Sequence, residues 1–347
     1  MRKLRVVVGV CVALSLAACS SGPPKRTARS TTTAPKPAAT LVHWSPFASV
    51  TAVVDITGPR GDGRLTVAAA GRLSLFGPSA SLVPYARGPH GYITRTNEPY
   101  IARTDGRVLS DAGCTFVKDT IYALQPSSSP GVIRIDTDGH SQTFVHLPAG
   151  SPYGIAFDDV GRFGYRLLVT EKIDKRSTVF AIDCKGRVST ITSTAPVVEG
   201  GIAVAPRSFG KFGGDLVAPD EYTGTIWAID PKGTATKVAQ SPLAHGADIG
   251  VESAGFVPDG FTNQWSAYVA DRKTPGNPHP GNDSLLRLTG ADLLAAAVQV
   301  GDLVVVSEAG ADTVVVRCSA TCSVRQIADG PQNAHIEGHV VITNALH

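Results

Sequence analysis

Three short segments place a glutamate at the head of an apolar run: Val198-Glu199-Gly200, Val251-Glu252-Ser253 and Ile336-Glu337-Gly338. If the three runs are equivalent strands of one repeated unit, Glu199, Glu252 and Glu337 converge at one level. Such carboxylates repel one another unless protons or a cation compensate, so they form a candidate site for a hard divalent cation such as calcium. The stretch His335-Ile336-Glu337-Gly338-His339 offers a second set. Side chains alternate along an extended strand, so His335, Glu337 and His339 would share a face. Two imidazoles and a carboxylate suit a transition metal such as zinc, iron or manganese. The competing reading pairs each glutamate with an arginine or a backbone amide and lets the histidines hydrogen-bond water.

Further acids close the runs expected to pair with these strands: Glu171, Asp220 with Glu221, Asp271 and Glu308. His90, Tyr153 and His245 stand at or just before run starts. Together they outline a polar pocket for a small ligand, with His90, Tyr153, His245, Asp220, Asp271 and Glu308 as its binding residues. Taken singly, the acids are also common turn residues.

What must position these groups is a set of strands. With 36 glycines, 24 prolines and 18% charged residues in 347, the chain is turn-rich and unlike a helical bundle or a disordered polypeptide. Apolar runs end in an acid and a glycine turn at Asp136-Thr137-Asp138-Gly139, Asp183-Cys184-Lys185-Gly186 and Asp230-Pro231-Lys232-Gly233, about 47 residues apart. A period of that length in antiparallel strands marks propeller blades. Inner strands are expected from Pro89-His90-Gly91, Pro152-Tyr153-Gly154, Glu199, Glu252 and Glu337. A sixth is expected near Leu293 to Val298, inside the longest gap. The last inner strand, Ile336 to Thr343, has no partners after it, so Arg64 to Ala69, Arg72 to Phe76 and Ser81 to Tyr85 are expected to complete its blade. Leu41 to Gly63 would then pack outside or lead in. The fold expected is all-β, a six-bladed β-propeller whose closing blade is shared between N- and C-terminal strands.

The first 40 residues read differently. Arg2, Lys3 and Arg5 precede an apolar run from Val6 to Ala18 that has the form of a secretory leader, residues 1–18. Leu16-Ala17-Ala18-Cys19 resembles the lipobox of bacterial lipoproteins, which implies a diacylglyceryl anchor on Cys19 and a place on the outer face of a membrane. Residues 19–40 are rich in Pro, Ser and Thr and form a tether; residues 41–347 form the propeller. Residues 1–40 hold seven of the 32 basic residues and none of the 29 acidic ones, so the propeller is acidic by about four charges. No basic patch interleaved with aromatics occurs in it, so nucleic acid is not expected as a partner.

Pro152-Tyr153-Gly154-Ile155-Ala156-Phe157 and Gly201-Ile202-Ala203-Val204 resemble the opening strand of NHL repeats and of the gluconolactonase, regucalcin and strictosidine-synthase-like propellers, over most of residues 65–343. The resemblance implies a metal held by a glutamate that opens an inner strand, by an asparagine and by an aspartate, and it implies lactone hydrolysis. Glu337 and Glu199 match the glutamate position. Tyr153 or His90 stands where the asparagine would, and neither carries an amide oxygen.

Setting aside Cys11 and Cys19, four cysteines remain in an exported domain, and three disulfide pairings are open. Cys318 and Cys322 flank a three-residue turn, so the pairing Cys318–Cys322 with Cys114–Cys184 is expected, with a metal role for Cys318 and Cys322 as the alternative. Two functions remain. The first is a monomeric, lipid-anchored protein binding a small ligand or an envelope protein at an acidic channel mouth. The alternative is a metal-dependent hydrolase of a lactone or ester.

Overall fold

The computed structural model describes residues 41–77, 81–86, 91 and 98–344; Cys19, the tether and His90 lie outside the described residues. Six sheets, five of four strands and one of five, radiate from a central axis. From inside out, blade one is Val53–Thr57, Leu65–Ala69, Arg72–Phe76 and Leu82–Pro84, and blade two is Ile101–Arg103, Ile121–Gln125, Gly131–Ile135 and Ser141–His146. Blade three is Ser151–Phe157, Leu167–Ile173, Arg176–Ile182 and Val188–Ala195. Blade four is Ala203–Val204, Leu216–Asp220, Thr225–Ile229 and Ala235–Gln240. Neighbouring inner strands pack in this order around the ring, and that of blade six returns against that of blade one.

The strand pattern follows from the stacking of blades. A second strand is covered on both faces by its neighbours, and Leu167–Glu171, Leu216–Asp220 and Leu303–Ser307 are buried throughout. Such strands read as continuous apolar runs, whereas the outermost Ser141–His146 is mostly exposed and polar. The recurring turn acid has a local role. Asp136 accepts from the amides of Asp138 and His140 at 3.0 and 2.9 Å, Asp183 from Lys185 and Arg187 at 2.8 and 3.0 Å, and Asp230 from Lys232 and Thr234, both at 2.9 Å. The following glycines 139, 186 and 233 have φ near +80°, which other residues rarely adopt.

Closure departs from the expected arrangement. Blade five is Val251–Phe256, Leu303–Ser307, Thr313–Cys318 and Cys322–Asp329, with Val42–His43 added in parallel outside. Blade six is Ile336–Thr343, Ser266–Asp271, Ser284–Thr289 and Ser45–Ser49. The chain thus leaves blade five after its inner strand, builds the middle of blade six, returns to finish blade five and ends on the inner strand of blade six. Both closing sheets unite the two ends of the chain. The strands from Leu65 to Pro84 do not complete the last blade, because Val53–Thr57 is their own inner strand; its buried Asp55 breaks the apolar run there. The interval around Leu293 holds a helix, Gly290–Ala295, rather than an inner strand, and a capping box between Thr289 and Asp292 starts it. The described inner strand of blade two is Ile101–Arg103; the start expected at Pro89-His90 lies outside the described residues.

Both expected disulfides are present. Cys114–Cys184 ties a small hairpin of blade two, Val108–Leu109 with Cys114–Thr115, to the turn of blade three. By chain entropy a 70-residue closure stabilises by about 4 kcal/mol, against roughly 2 kcal/mol for the short Cys318–Cys322 loop. Among the described residues no helix is long and apolar enough to cross a membrane.

Candidate metal centre and acidic cavity

Inner strands enter the sheets through irregular pairing. The register shifts between Val53 and Asp55, between Pro152 and Gly154, and between Val251 and Ser253, so Val54, Tyr153 and Glu252 drop out of the ladder. A bulge of this kind re-aims the side chain of the extra residue. In blade six the pairing steps from Glu337 to Val341 as the partner steps only from Ala270 to Tyr268, and Gly338 has φ of 68°. Alternation therefore fails between Glu337 and His339, and His335, Glu337 and His339 do not share a face.

Glu337 turns into a cluster at the channel mouth. The Tyr100 hydroxyl lies 2.6 Å from Glu252 Oε1 and 2.5 Å from Glu337 Oε2. One hydroxyl hydrogen serves one acceptor, so a carboxyl must supply the other. Burial, with the charges of Glu337 and Glu308 added, holds Glu252 well above the usual carboxylate range, which favours Glu252 as the carboxyl that supplies it. Burial would raise Glu337 too, but hydrogen bonding from His335 and the charge of Arg272 hold it below its usual value. Arg272 Nη1 is 3.0 Å from both Glu337 Oε1 and Glu98 Oε1. His335 Nε2 is 3.0 Å from Glu308 Oε1 and 3.3 Å from Glu337 Oε1. Burial disfavours a charged ring, yet these two carboxylates hold His335 up at about 10. Glu308 is pushed up to about 8 by burial, against the hydrogen bond from His335. Asp271, fully buried, accepts from the amide of His335 at 3.0 Å and from Asn282 Nδ2 at 2.8 Å, which fixes the loop that presents the ring.

Glu199 stands apart, on a neighbouring cavity of about 430 Å³ lined also by Glu98, Tyr153, Lys172, Glu221 and Tyr222. Burial, then Glu98 and Glu221, push it up to about 8. Lys172 Nζ sits 5.5 Å from the ring centre of Tyr153 and 5.4 Å from that of Tyr222.

Of the residues proposed from sequence, Glu252, Glu308, His335 and Glu337 meet in one cluster, and Tyr153 and Glu199 line the adjoining cavity. His339 goes elsewhere: its Nδ1 is 2.9 Å from Asp55 Oδ2 and its Nε2 is 2.9 Å from the Ile155 carbonyl oxygen. Asp220 accepts from the amide and hydroxyl of Thr223 at 3.1 and 2.6 Å and caps its own turn. His245 is exposed, with Nδ1 against the Leu243 carbonyl. Glu98, Tyr100, Lys172, Arg272 and Asp55 were not legible as site residues, since each is a residue of a common type in no repeated pattern, and they are brought together from four blades.

Among the described residues, two groups of side chains have the spacing to hold a divalent cation, Glu308 with His335 and Glu337, and Asp136 with Asp138 and His140. In the second, Asp136 is committed to two amides of its own exposed turn. In the first, the ligand atoms lie within 4.8 Å of one another and all three residues are buried. Two carboxylates and an imidazole suit a divalent cation, and the proton on His335 Nε2 stands where such an ion would. The Nδ1 of His335 is buried without a partner.

No family model matches the chain, and no curated protein does. Solved structures do. Virginiamycin B lyase from Staphylococcus aureus is 13% identical over 80% of this chain and 70% of that one, with a TM-score of 0.45. A streptogramin B lyase is 13% identical over 84% and 74%, TM-score 0.44. Regucalcin from Agrobacterium tumefaciens, a calcium-binding protein, is 11% identical over 68% and 74%, TM-score 0.38. The blade count rests on the strand pairing described above, which makes this chain an all-β, six-bladed propeller closed by strands from both its ends.

Proposed function

We propose that this protein is a metal-dependent acid–base enzyme acting on a small ester or lactone, with Glu308, His335 and Glu337 as ligands of a divalent cation and the adjoining cavity as the substrate recess. The observation that carries this reading is the meeting of two carboxylates and an imidazole within 4.8 Å, buried beside an open cavity of about 430 Å³. A bound divalent cation supplies Lewis acidity and a water of lowered pKa. The chain's own residues prepare the rest. Asp271 holds the His335 backbone, and Tyr100 and Arg272 orient Glu337. Glu199 and Glu98, raised to about 8 and about 7, are placed to give or take a proton near neutrality on the cavity wall. Metal analysis of the purified protein after desalting tests the reading. Wild type is expected to retain a divalent ion that Glu337→Gln loses, with ester or lactone turnover lost alongside; a wild type that retains no ion even after metal supplementation sinks it.

We further propose that the propeller is held outside a membrane by lipid on Cys19. The lipobox-like residues support this, and the two disulfides fit an oxidising compartment. Cys19→Ala is expected to move the protein from the membrane to the soluble fraction; unchanged membrane association would contradict the anchor.

A further inference from the structure

The cavity beside the metal centre already holds a cation. Lys172, on the second strand of blade three, places its ammonium over the rings of Tyr153 and Tyr222 at nearly equal distances, 5.5 and 5.4 Å. The two tyrosines come from different blades. Around them the wall carries Glu98, Glu199, Glu221 and Asp248. Glu221 is only 6% exposed and lines the cavity; its carboxyl is held by Glu308 and by the amides of Asp248 and Ile249, but one oxygen, Oε1, is buried with no hydrogen-bond partner. A buried acceptor left open is costly, so it marks a place where a donor from outside the chain fits. An anion would meet a wall of four acids, repelled by each one that ionises and balanced by Lys172 alone, and a neutral apolar ligand would leave Glu221 Oε1 unsatisfied. An ammonium group answers both: ring faces attract it by their quadrupole, and it brings positive charge and, when primary, N–H donors to the acids.

Resting on the reading of this cavity as the substrate recess, we propose that the ligand enters it with an ammonium group seated between Tyr153 and Tyr222, and that Lys172 occupies that place in the free protein. Lys172 is a tethered cation on a flexible stem, so an incoming ammonium replaces it without unpairing the aromatic and acidic walls. The proposal fixes the ligand as an organic amine, whose ammonium end faces the tyrosines and whose reacting end reaches toward the Glu308, His335 and Glu337 cluster.

The test is a calorimetric titration of the purified protein, in chelator, with ethanolamine, a primary ammonium at neutral pH, and with its neutral isostere propan-1-ol. Ethanolamine is expected to bind at least about tenfold more tightly than the isostere. Lys172→Met is expected to tighten ethanolamine binding several-fold, because the competing ammonium is gone, and Tyr222→Leu, a change at a half-exposed side chain, to weaken it. Equal binding of the two probes, no saturable ethanolamine binding in Lys172→Met, or weaker ethanolamine binding in Lys172→Met than in wild type overturns the proposal. Acetate binding that is lost in Lys172→Met would also overturn it, since Lys172 would then be an anion receptor. Metal retention is measured on the same preparations without chelator. Retained metal without ethanolamine preference removes only the ammonium proposal; ethanolamine preference without retained metal removes only the metal reading.

Discussion

His335, in the loop just before the last inner strand, and His339, four residues on and within that strand, have opposite surroundings. His339 is saturated: Asp55 lies at one ring nitrogen and the Ile155 carbonyl at the other, so both nitrogens donate and the ring is an imidazolium. Burial opposes that charge, but Asp55 holds the pKa of His339 above its usual value. Asp55 is saturated as well, accepting from the amides of Ile56, Ile101 and His339 at 2.8, 2.7 and 2.8 Å. This pair joins blades one, two, three and six across the axis. His335 shares one nitrogen between two carboxylates and leaves the other buried and open. A region whose donors and acceptors are all matched has nothing left for a ligand and serves stability. A region with open buried atoms and protons held between acids has lost stability in a way that binding can recover.

The sharpest way to break this contrast is Asp55→Ala. It leaves a buried imidazolium and three inner-strand amides without their acceptor, so a destabilisation of about 3–5 kcal/mol is expected by denaturant titration. If the variant unfolds at the wild-type midpoint, the axis pair is not the clamp described. Glu337→Gln should do the reverse, weakening divalent metal binding by about a hundredfold or more while lowering stability little, and Asp271→Asn should weaken it by about tenfold through the His335 loop. A third contrast uses Glu171, which is fully buried with neither carboxyl oxygen partnered and is raised to about 7 by burial. A carboxyl raised on folding binds a proton that the unfolded chain has already released. Its contribution is therefore lost as pH rises from about 4.5 through about 7. Glu171→Gln should flatten the fall of Tm across that window, and an unchanged slope would remove Glu171 as its cause. The smallest effect is expected at the exposed turn: Asp138→Asn should leave metal content unchanged, because the turn amides already use Asp136.

Much of this contrast was visible in the amino-acid order and part was not. The repeated acid and glycine turns, the buried second strands and the glutamates that open inner strands are local patterns, and the structure places them in successive blades. The expectation that His335, Glu337 and His339 line up failed for one local reason: Gly338 takes a positive φ, and a single such residue turns the following side chain away. The long interval around Leu293 holds no inner strand because the exchange between blades five and six inserts two strands of one blade into the run of the other. No local pattern marks that exchange, since each strand is apolar in either blade.

By itself, then, the sequence determined what nearest neighbours along the chain decide: strands with a blade-length period, turns with their acids, cysteines close enough in kind and number to pair, and acids at the heads of inner strands. The tertiary structure decided which blade each strand joined and which acids share protons. It set Tyr100 from blade two between Glu252 of blade five and Glu337 of blade six, and Lys172 between tyrosines of two blades. Those contacts join residues up to 237 positions apart, and their energies depend on burial and on charges from other blades, quantities that no local stretch of sequence carries.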